Sequence, residues 1–185
     1  MELNTQTGRL TGIRQVVSPY YNQRPDRNDI SLIVIHNISL PPDEFGTLYI
    51  EQMFTGRLDK TAYPYFAKIN TEVSAHFLIN RVGELTQFVS VYERAWHAGK
   101  SNFQGRENCN DFSIGIELEG SDHVPFEPAQ YKTLLPLLTL LTRDFPAITL
   151  ERIVGHDMIA PERKTDPGSH FDWQRVFIGL KTENK

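Results

Sequence analysis

Residues 153–168 have the sequence IVGHDMIAPERKTDPG, and this stretch carries the strongest indication of how the chain is organised. Its first two residues are apolar and β-branched, which predicts a short buried strand that ends near His156. Two prolines then exclude regular structure for about the next dozen residues. The sequence therefore predicts a histidine at a strand end, followed by a loop that carries Lys164 and Asp166.

The polar residues of this stretch are typical of half a metal site. Alternate residues of an extended segment point to the same side, so Lys164 and Asp166 can both face a group held by His156. Imidazole and carboxylate are suitable zinc ligands, and a catalytic zinc needs three protein ligands and an open position for water. This stretch offers two such ligands, His156 and Asp166, so the third must come from another part of the chain. The alternative is that His156 is a hydrogen-bonded core histidine and that the charged residues are solvated.

The composition is that of a globular protein. A length of 185 residues favours one domain, and 39% of the residues are hydrophobic and 23% charged. The formal net charge of -4 excludes a general electrostatic attraction for nucleic acid or for an anionic membrane. We therefore expect a monomer that has neither nucleic acid nor membrane as a partner.

The sequence also bears on the compartment. Cys109 is the only cysteine, so no intrachain disulfide can form, which fits a reducing environment. Residues 1–30 contain no continuous apolar core of signal-peptide length. The most apolar later stretch, residues 134–141, is far shorter than the roughly 20 residues needed to span a bilayer. We expect a cytoplasmic protein.

A second histidine ends an apolar segment near the N-terminus. Residues 1–30 lack sustained periodicity and are expected to form an arm packed on a domain of residues 31–185. Residues 31–37 are apolar on both faces, which predicts a central strand covered on two sides. His36 closes this strand, and strand ends in open sheets are where ligand sites gather, so His36 is the candidate for the missing ligand. The alternative is a histidine that merely caps the strand.

Several further segments have recognisable periodicity. Pro136 lies inside a helical pattern and predicts a kink or a break there. His76 falls within a predicted strand, where a packed and hydrogen-bonded histidine is more common than a ligand. The predicted helices are residues 46–55, 128–145 and 171–180, and the predicted strands are residues 73–80, 85–89 and 110–120, of which the first two form an antiparallel pair.

The strand predicted at residues 110–120 places a carboxylate among apolar neighbours. Alternation puts Gly115 and Glu117 on one face, opposite two isoleucines. A glycine lets another group approach the backbone, and a carboxylate in apolar surroundings needs a partner or a function. Glu117 is thus either a structural glutamate or a functional one. Glu119 shares its face and competes for any role.

Another motif, Trp96-His97-Ala98-Gly99, combines a large ring, an imidazole and a flexible turn. It either walls a pocket or forms a loop held in place by its tryptophan.

Together these residues supply the groups that the hydrolysis of an amide requires. Two histidines and one carboxylate would leave a net charge of about +1 on zinc and preserve its Lewis acidity. Glu117 would supply a base, and Lys164 a cation that stabilises the developing oxyanion. The proposed ligand set is His36, His156 and Asp166.

Five segments carry motifs that are specific in combination: residues 34–42 (VIHNISLPP), 73–77 (VSAHF), 95–99 (AWHAG), 110–120 (NDFSIGIELEG) and 159–168 (IAPERKTDPG). With them, nearly the whole chain resembles the AmpD-type zinc amidases of the N-acetylmuramoyl-L-alanine amidase and peptidoglycan-recognition-protein fold.

This resemblance implies a single α/β domain with a central mixed β-sheet flanked by α-helices. It implies that His36, His156 and Asp166 are the zinc ligands. It makes Glu117 the proton acceptor and Lys164 the group that stabilises the transition state. Substrate contacts are expected for Asn37, Trp96, His97 and Arg106.

The resemblance also implies a substrate. In this family it is a recycled wall fragment, in which anhydro-N-acetylmuramic acid is joined through its lactyl group to L-alanine of a stem peptide. The expected reaction is zinc-dependent hydrolysis of that amide in cytoplasmic muropeptide recycling. Two alternatives are a non-catalytic peptidoglycan-recognition module, which would lack a ligand or the base, and a wall-lytic amidase on intact peptidoglycan, which would need export.

The chain departs from the family pattern in places. Relatives often have an aspartate two residues after the histidine, where this chain has Asp157 and then Met158. Arginines that hold diaminopimelate carboxylates fall near Glu72 and Asn108, and Arg106 is the candidate that compensates.

Overall fold

A mixed six-stranded β-sheet forms the centre of the computed structural model, which describes residues 1–183. Its helices are α1 (Tyr49–Phe54), α2 (Pro128–Asp144), α3 (His156–Ile159) and α4 (Trp173–Glu183), with single 3-10 turns at Phe66–Lys68, Cys109–Asp111 and Leu150–Arg152. Its strands are β1 (Leu3–Asn4), β2 (Arg9–Leu10), β3 (Arg14–Gln15), β4 (Tyr21–Gln23), β5 (Leu32–Ile38), β6 (Phe77–Ile79), β7 (Leu85–Gln87), β8 (Glu93–Ala95), β9 (Asn102–Phe103), β10 (Arg106–Glu107), β11 (Ser113–Glu119) and β12 (Ile153–Gly155).

The strand order in the central sheet is β12-β5-β11-β6-β7-β3. The first four of these strands are parallel to one another, β7 is antiparallel to β6, and β3 is parallel to β7. The prediction of one α/β domain with a mixed sheet flanked by helices is confirmed. The predicted antiparallel pair of strands is confirmed as β6 and β7.

The two faces of the sheet bury different side chains. Ile33 and Ile35 of β5 pack in the largest apolar cluster, together with residues of α2 and α4. Leu32 and Val34 point the other way, into a smaller cluster that includes Ala98 and Phe112. Because side chains alternate along a strand, His36 shares the face of Leu32 and Val34. The side of the sheet opposite α2 is therefore the side that can hold a site.

Most predicted elements exist but are shorter than predicted. The strand predicted at residues 73–80 is paired only over β6, and β11 begins after a 3-10 turn. The helix α3, a single turn that begins at His156, was not predicted. Helix α4 begins two residues later than expected.

Helix α2 continues through Pro136, so of the predicted kink or break the break is wrong, and the kink stays a prediction. Pro136 and Lys132 are both exposed. The Lys132 carbonyl, which has lost its helical donor, can therefore be solvated, and the opposite face still packs on the sheet. No helix within residues 1–183 is both long and apolar enough to cross a membrane.

The N-terminal segment is more regular than predicted. Residues 1–30 contain β1 to β4, of which β3 extends the edge of the central sheet and β4 pairs with β8. Strands of two or three residues are too short to produce a periodic sequence signal. The division of the chain at residue 30 stays a prediction.

Arg24 anchors this segment to the domain. Its side chain is buried and donates hydrogen bonds to the backbone carbonyls of Val91, Asn110, Asp111 and Ser113, at 2.6 to 3.2 Å. Burial lowers the pKa of Arg24 to about 10, and Arg94 adds to this, so the guanidinium stays charged at neutral pH. Its donors satisfy carbonyls that water does not reach.

We expect Arg24→Met to reduce the free energy of unfolding by about 3 kcal/mol, because it leaves several buried carbonyls without a donor. Urea unfolding followed by circular dichroism measures this change. Arg27→Met is the matched control: its exposed side chain bonds one carbonyl and lies over the ring of Tyr92, so the loss should stay below about 1 kcal/mol. Equal losses in the two variants would show that the buried carbonyls do not depend on Arg24.

Candidate metal centre

Three potential ligands converge where β5, α3 and the following loop meet. His36 lies near the end of β5, His156 begins α3 directly after β12, and Asp166 lies on the loop. Gly155 of β12 pairs with Ile35 of β5, so the two histidines leave neighbouring parallel strands side by side. The sequence placed the three residues on separate segments, and the fold brings them together.

The three ligand atoms form a nearly equilateral triangle. The Nδ1 atoms of His36 and His156 are 2.9 Å apart, and Asp166 Oδ2 lies 3.0 Å from the first and 3.1 Å from the second. The two histidine side chains are 2% exposed and the aspartate side chain 14%, so the open side of the triangle lies next to the aspartate.

Hydrogen bonds on the far side of each ring leave both Nδ1 atoms free for a ligand role. His156 Nε2 lies 3.1 Å from the carbonyl oxygen of Ala98, which can only accept, so the Nε2 atom carries the proton. His36 Nε2 lies 2.9 Å from His97 Nδ1. Proton donation from His36 to His97 leaves His36 Nδ1 with a lone pair that faces the other two atoms.

Electrostatics favour a neutral His36 ring and an ionised Asp166 carboxylate. Burial lowers the pKa of His36 to about 4 despite the Asp166 carboxylate beside it. Burial alone would raise the pKa of Asp166, but the adjacent rings of His156 and His36 hold it well below its usual range. Two neutral imidazoles and one carboxylate are the protonation states that a metal ion needs.

The geometry fits zinc. In a tetrahedral site with bonds of about 2.0 to 2.2 Å, two ligand atoms lie roughly 3.3 to 3.5 Å apart. The observed separations of 2.9 to 3.1 Å are within a few tenths of an ångström of that value. Three atoms with lone pairs directed at one point repel one another unless a cation lies between them. The donor set therefore suits a divalent cation with an open fourth position.

Glu117 lies beside this triangle. The parallel register of β11 with β5 pairs it with His36, on the same face of the sheet. The Glu117 side chain is buried, and its Oε2 atom has no hydrogen-bond partner within residues 1–183. Burial and the nearby Asp166 carboxylate raise the pKa of Glu117 well above its usual value, while Lys164 opposes the shift. This carboxyl group is poised to take up or release a proton.

Glu119, the competitor for this role, is engaged elsewhere. Its two carboxylate oxygens accept hydrogen bonds from the backbone N–H groups of Gly46, at 2.6 Å, and Arg81, at 2.9 Å. It therefore joins two loops at the end of the sheet. His76 is also engaged: its Nδ1 accepts from Gly115 N–H, and its Nε2 donates to Glu93 O, at 3.0 Å each.

A cavity of about 460 Å³ opens onto the triangle. Lys164, Glu117 and the three ligands all line it, which agrees with the expectation that Lys164 and Asp166 face the same group. Its outer wall includes Trp96 and residues that no sequence pattern indicated, such as Tyr65 and Arg163.

The four predicted substrate contacts have different surroundings. Trp96 and Asn37 line the cavity, and Trp96 donates to Asn22 Oδ1 at 2.7 Å. His97 also lines the cavity, but both of its ring nitrogens are bonded inside the protein. Arg106 is not among the cavity-lining residues: it pairs with Asp29 at 2.6 Å and covers the ring of Phe112. These substrate roles stay predictions, and the surroundings of Arg106 give its role no support.

Sequence reasoning missed Asp122. Its carboxylate accepts from Asn37 Nδ2 at 2.6 Å and from the Thr165 hydroxyl, and Asn37 Nδ2 also donates to Pro167 O at 3.1 Å. Asp122 and Asn37 together therefore hold the residues on both sides of Asp166. Asp122 follows the end of β11, and that location at a strand end was the signal that could have indicated it.

Comparisons with known proteins agree with this geometry. A family model described as N-acetylmuramoyl-L-alanine amidase matches residues 26–169. The chain is 54% identical to the 1,6-anhydro-N-acetylmuramyl-L-alanine amidase AmpD of Haemophilus influenzae over 177 residues, which are 95% of this chain and 96% of the relative. A crystal structure of a selenomethionine derivative of AmpD superposes with a TM-score of 0.93 and 52% identity, covering 97% of this chain and 99% of that one.

A substrate complex is also similar. It is the N-acetylmuramyl-L-alanine amidase AmiD of Escherichia coli with anhydro-N-acetylmuramic acid-L-Ala-D-gamma-Glu-L-Lys. That structure is 32% identical with a TM-score of 0.60, covering 92% of this chain and 62% of that chain.

We expect Glu117→Gln to stabilise the protein at pH 8, measured in the presence of EDTA. Since the pKa of Glu117 is raised in the folded state, wild-type stability falls as pH rises above the ordinary carboxyl pKa, whereas glutamine does not titrate. One pKa unit corresponds to about 1.4 kcal/mol, or roughly 3 to 6 °C in melting temperature for a chain of this length. Thermal unfolding of both proteins at pH 5 and pH 8 should show the difference growing with pH. A wild type that is the more stable at pH 8 would contradict the assignment.

Proposed function

The chain belongs to the N-acetylmuramoyl-L-alanine amidase family, and on this premise we propose that it hydrolyses the amide between the lactyl group of anhydro-N-acetylmuramic acid and L-alanine of a stem peptide. The observation that carries the proposal is the convergence at one cavity of His36, His156, the Asp166 carboxylate and Glu117, whose Oε2 atom has no hydrogen-bond partner in the part of the chain that the structure describes. The AmpD relative that bears this activity in its name is matched over nearly its whole length.

The cofactor of this reaction would be zinc, and His36, His156 and Asp166 would hold it. Two histidines and one carboxylate with an open position form a ligand set that catalytic zinc uses in hydrolases. When bound, zinc supplies Lewis acidity, which activates water for attack and polarises the substrate carbonyl. The chain's own residues provide the proton transfers and most of the orientation.

Glu117 acts as the general base and then as the general acid. Its free Oε2 atom takes the proton from the attacking water and delivers it to the nitrogen of the departing L-alanine. A raised pKa suits both steps, because a strongly acidic carboxyl group would accept a proton poorly. The buried position next to His36 keeps the group within reach of the scissile bond.

Lys164 stabilises the oxyanion that forms as water adds to the carbonyl. It lines the same cavity as Glu117, and its charge already acts on that carboxyl group. A cation placed where negative charge develops lowers the barrier more than it strengthens substrate binding.

The biological setting follows from the substrate. We place the protein in cytoplasmic muropeptide recycling, since anhydromuramyl peptides are the substrates in the names of its relatives and a single buried thiol suits a reducing compartment. A monomer remains our prediction, and analytical ultracentrifugation measures it. A non-catalytic recognition module would bind the same fragment without cleaving it.

We expect the purified protein to bind one zinc ion, and His36→Ala, His156→Ala and Asp166→Ala each to lose most of it. Two remaining ligands are too few to hold a catalytic zinc. Metal analysis by plasma mass spectrometry measures the content. Lys164→Ala is the control and should keep its zinc. Full zinc occupancy in all three ligand variants would disprove the ligand set.

We expect Glu117→Gln to retain zinc but to lose turnover by roughly 10²-fold to 10⁴-fold, the usual contribution of a general base. Mass spectrometry of a purified anhydromuropeptide before and after incubation detects the released peptide. Glu119→Gln is the matched control, since Glu119 contacts backbone N–H groups away from the triangle, and its turnover should fall much less. Binding of the fragment without release by the wild type would instead favour the recognition module.

A further inference from the structure

We propose that His97 is a positioning residue for the metal ligand His36, which sets the ring orientation and the tautomer that His36 presents to zinc. The inference rests on the proposed function for the metal itself. The role differs from the substrate contact that the sequence indicated for His97.

The first argument is the contact between the two rings. His36 Nε2 and His97 Nδ1 are 2.9 Å apart, and the rings are nearly perpendicular, with an interplanar angle of 86°. A nitrogen separation of 2.9 Å with the ring centroids 5.0 Å apart is that of a hydrogen bond from one ring to the nitrogen of the other. Only one of the two nitrogens can carry the proton between them. If it is His36 Nε2, then His36 Nδ1 is free to bind a metal.

The hydrogen bond on the other side of the His97 ring is compatible with His36 as the donor and His97 as the acceptor. Its Nε2 atom lies 3.2 Å from the hydroxyl oxygen of Ser113, which can accept a hydrogen bond. A single chain of donors then runs outward from His36 through His97 to Ser113. Both nitrogens of His97 are used in this chain, so the ring has no free polar atom for a substrate.

The second argument is the rigidity of the His97 position. The backbone N–H groups of His97 and Ala98 both donate to Asn110 Oδ1, at 3.1 and 2.8 Å. The imidazole lies against the backbone of Gly115, where an added Cβ would come within 2.5 Å of the ring. The close neighbour expected at Gly115 is therefore the His97 ring. Any larger residue at position 115 would displace this ring from His36.

One short segment therefore orients both histidine ligands. The side chain of His97 accepts from His36, and the carbonyl oxygen of the next residue, Ala98, accepts from His156. Partners of this kind fix the orientation and basicity of metal-bound histidines, and their loss typically reduces metal affinity by about 10-fold to 100-fold.

The test compares His97→Leu with His97→Asn in the full-length protein. The Asn side-chain oxygen can take the place of Nδ1 as acceptor, whereas leucine fills the space without one. We expect the leucine variant to bind zinc about 10-fold to 100-fold more weakly than the wild type, and the asparagine variant to recover most of that loss. Competition with a fluorescent zinc chelator measures the dissociation constants, without reference to activity.

Two further variants separate positioning from folding. Gly115→Ala keeps His97 but pushes its ring, and it should also weaken zinc binding even if His97→Leu fails to fold. His76→Asn is the matched control, because His76 is equally buried nearby yet hydrogen-bonds none of the three ligands. It should leave the zinc dissociation constant unchanged.

The outcomes are distinct. Wild-type affinity in both His97→Leu and Gly115→Ala would overturn the positioning role, and so would equal losses in the leucine and asparagine variants at position 97, since that pattern reflects packing alone. A wild-type protein that binds no zinc would overturn the proposed function, and the role of His97 with it.

Discussion

The parallel pairing of β5 with its two neighbours is the constraint on which the site depends. β11 places Glu117 next to His36, and β12 delivers His156 on the other side. A shift of β11 by one residue would turn Glu117 to the opposite face, into the apolar cluster against α2. The isoleucines of β11 oppose such a shift, because it would turn them out of the apolar cluster against α2 and toward the face that carries His36. The apolar core thus fixes the catalytic register.

Burial has two effects in this site. It keeps the His36 ring neutral and makes Glu117 a weaker acid, both of which suit the chemistry. It also concentrates the lone pairs of the three ligands and a Glu117 oxygen that has no partner among the described residues, which costs stability in the absence of a metal. The surrounding structure offsets this cost through bonded groups such as Asn110, Asp122 and the buried Arg24. The groups around the site are thus well hydrogen-bonded where the reacting groups are least satisfied.

The sequence predicted the parts of this arrangement that have a local signal. His36 follows a doubly apolar strand, and His156 and Asp166 flank a proline-rich loop, so their chemistry was readable without a structure. The ring contact between His36 and His97 was not, because it depends on how a loop folds over Gly115. Asp122 was missed since its partners, Asn37 and Thr165, are distant in sequence. The break expected at Pro136 is absent because this residue is exposed on the outer side of α2. Its exposure, and not its position in a helix, determines whether the helix breaks.

The distance along the chain between the ligands has a consequence for synthesis on the ribosome. His36 precedes His156 by 120 residues and Asp166 by 130 residues. The first ligand is therefore synthesised long before the other two. Closing so long a loop is entropically costly, and a nascent chain can hold no metal in this way until its last strand has paired. A metal ion held by these three ligands could therefore bind only after the sheet is complete.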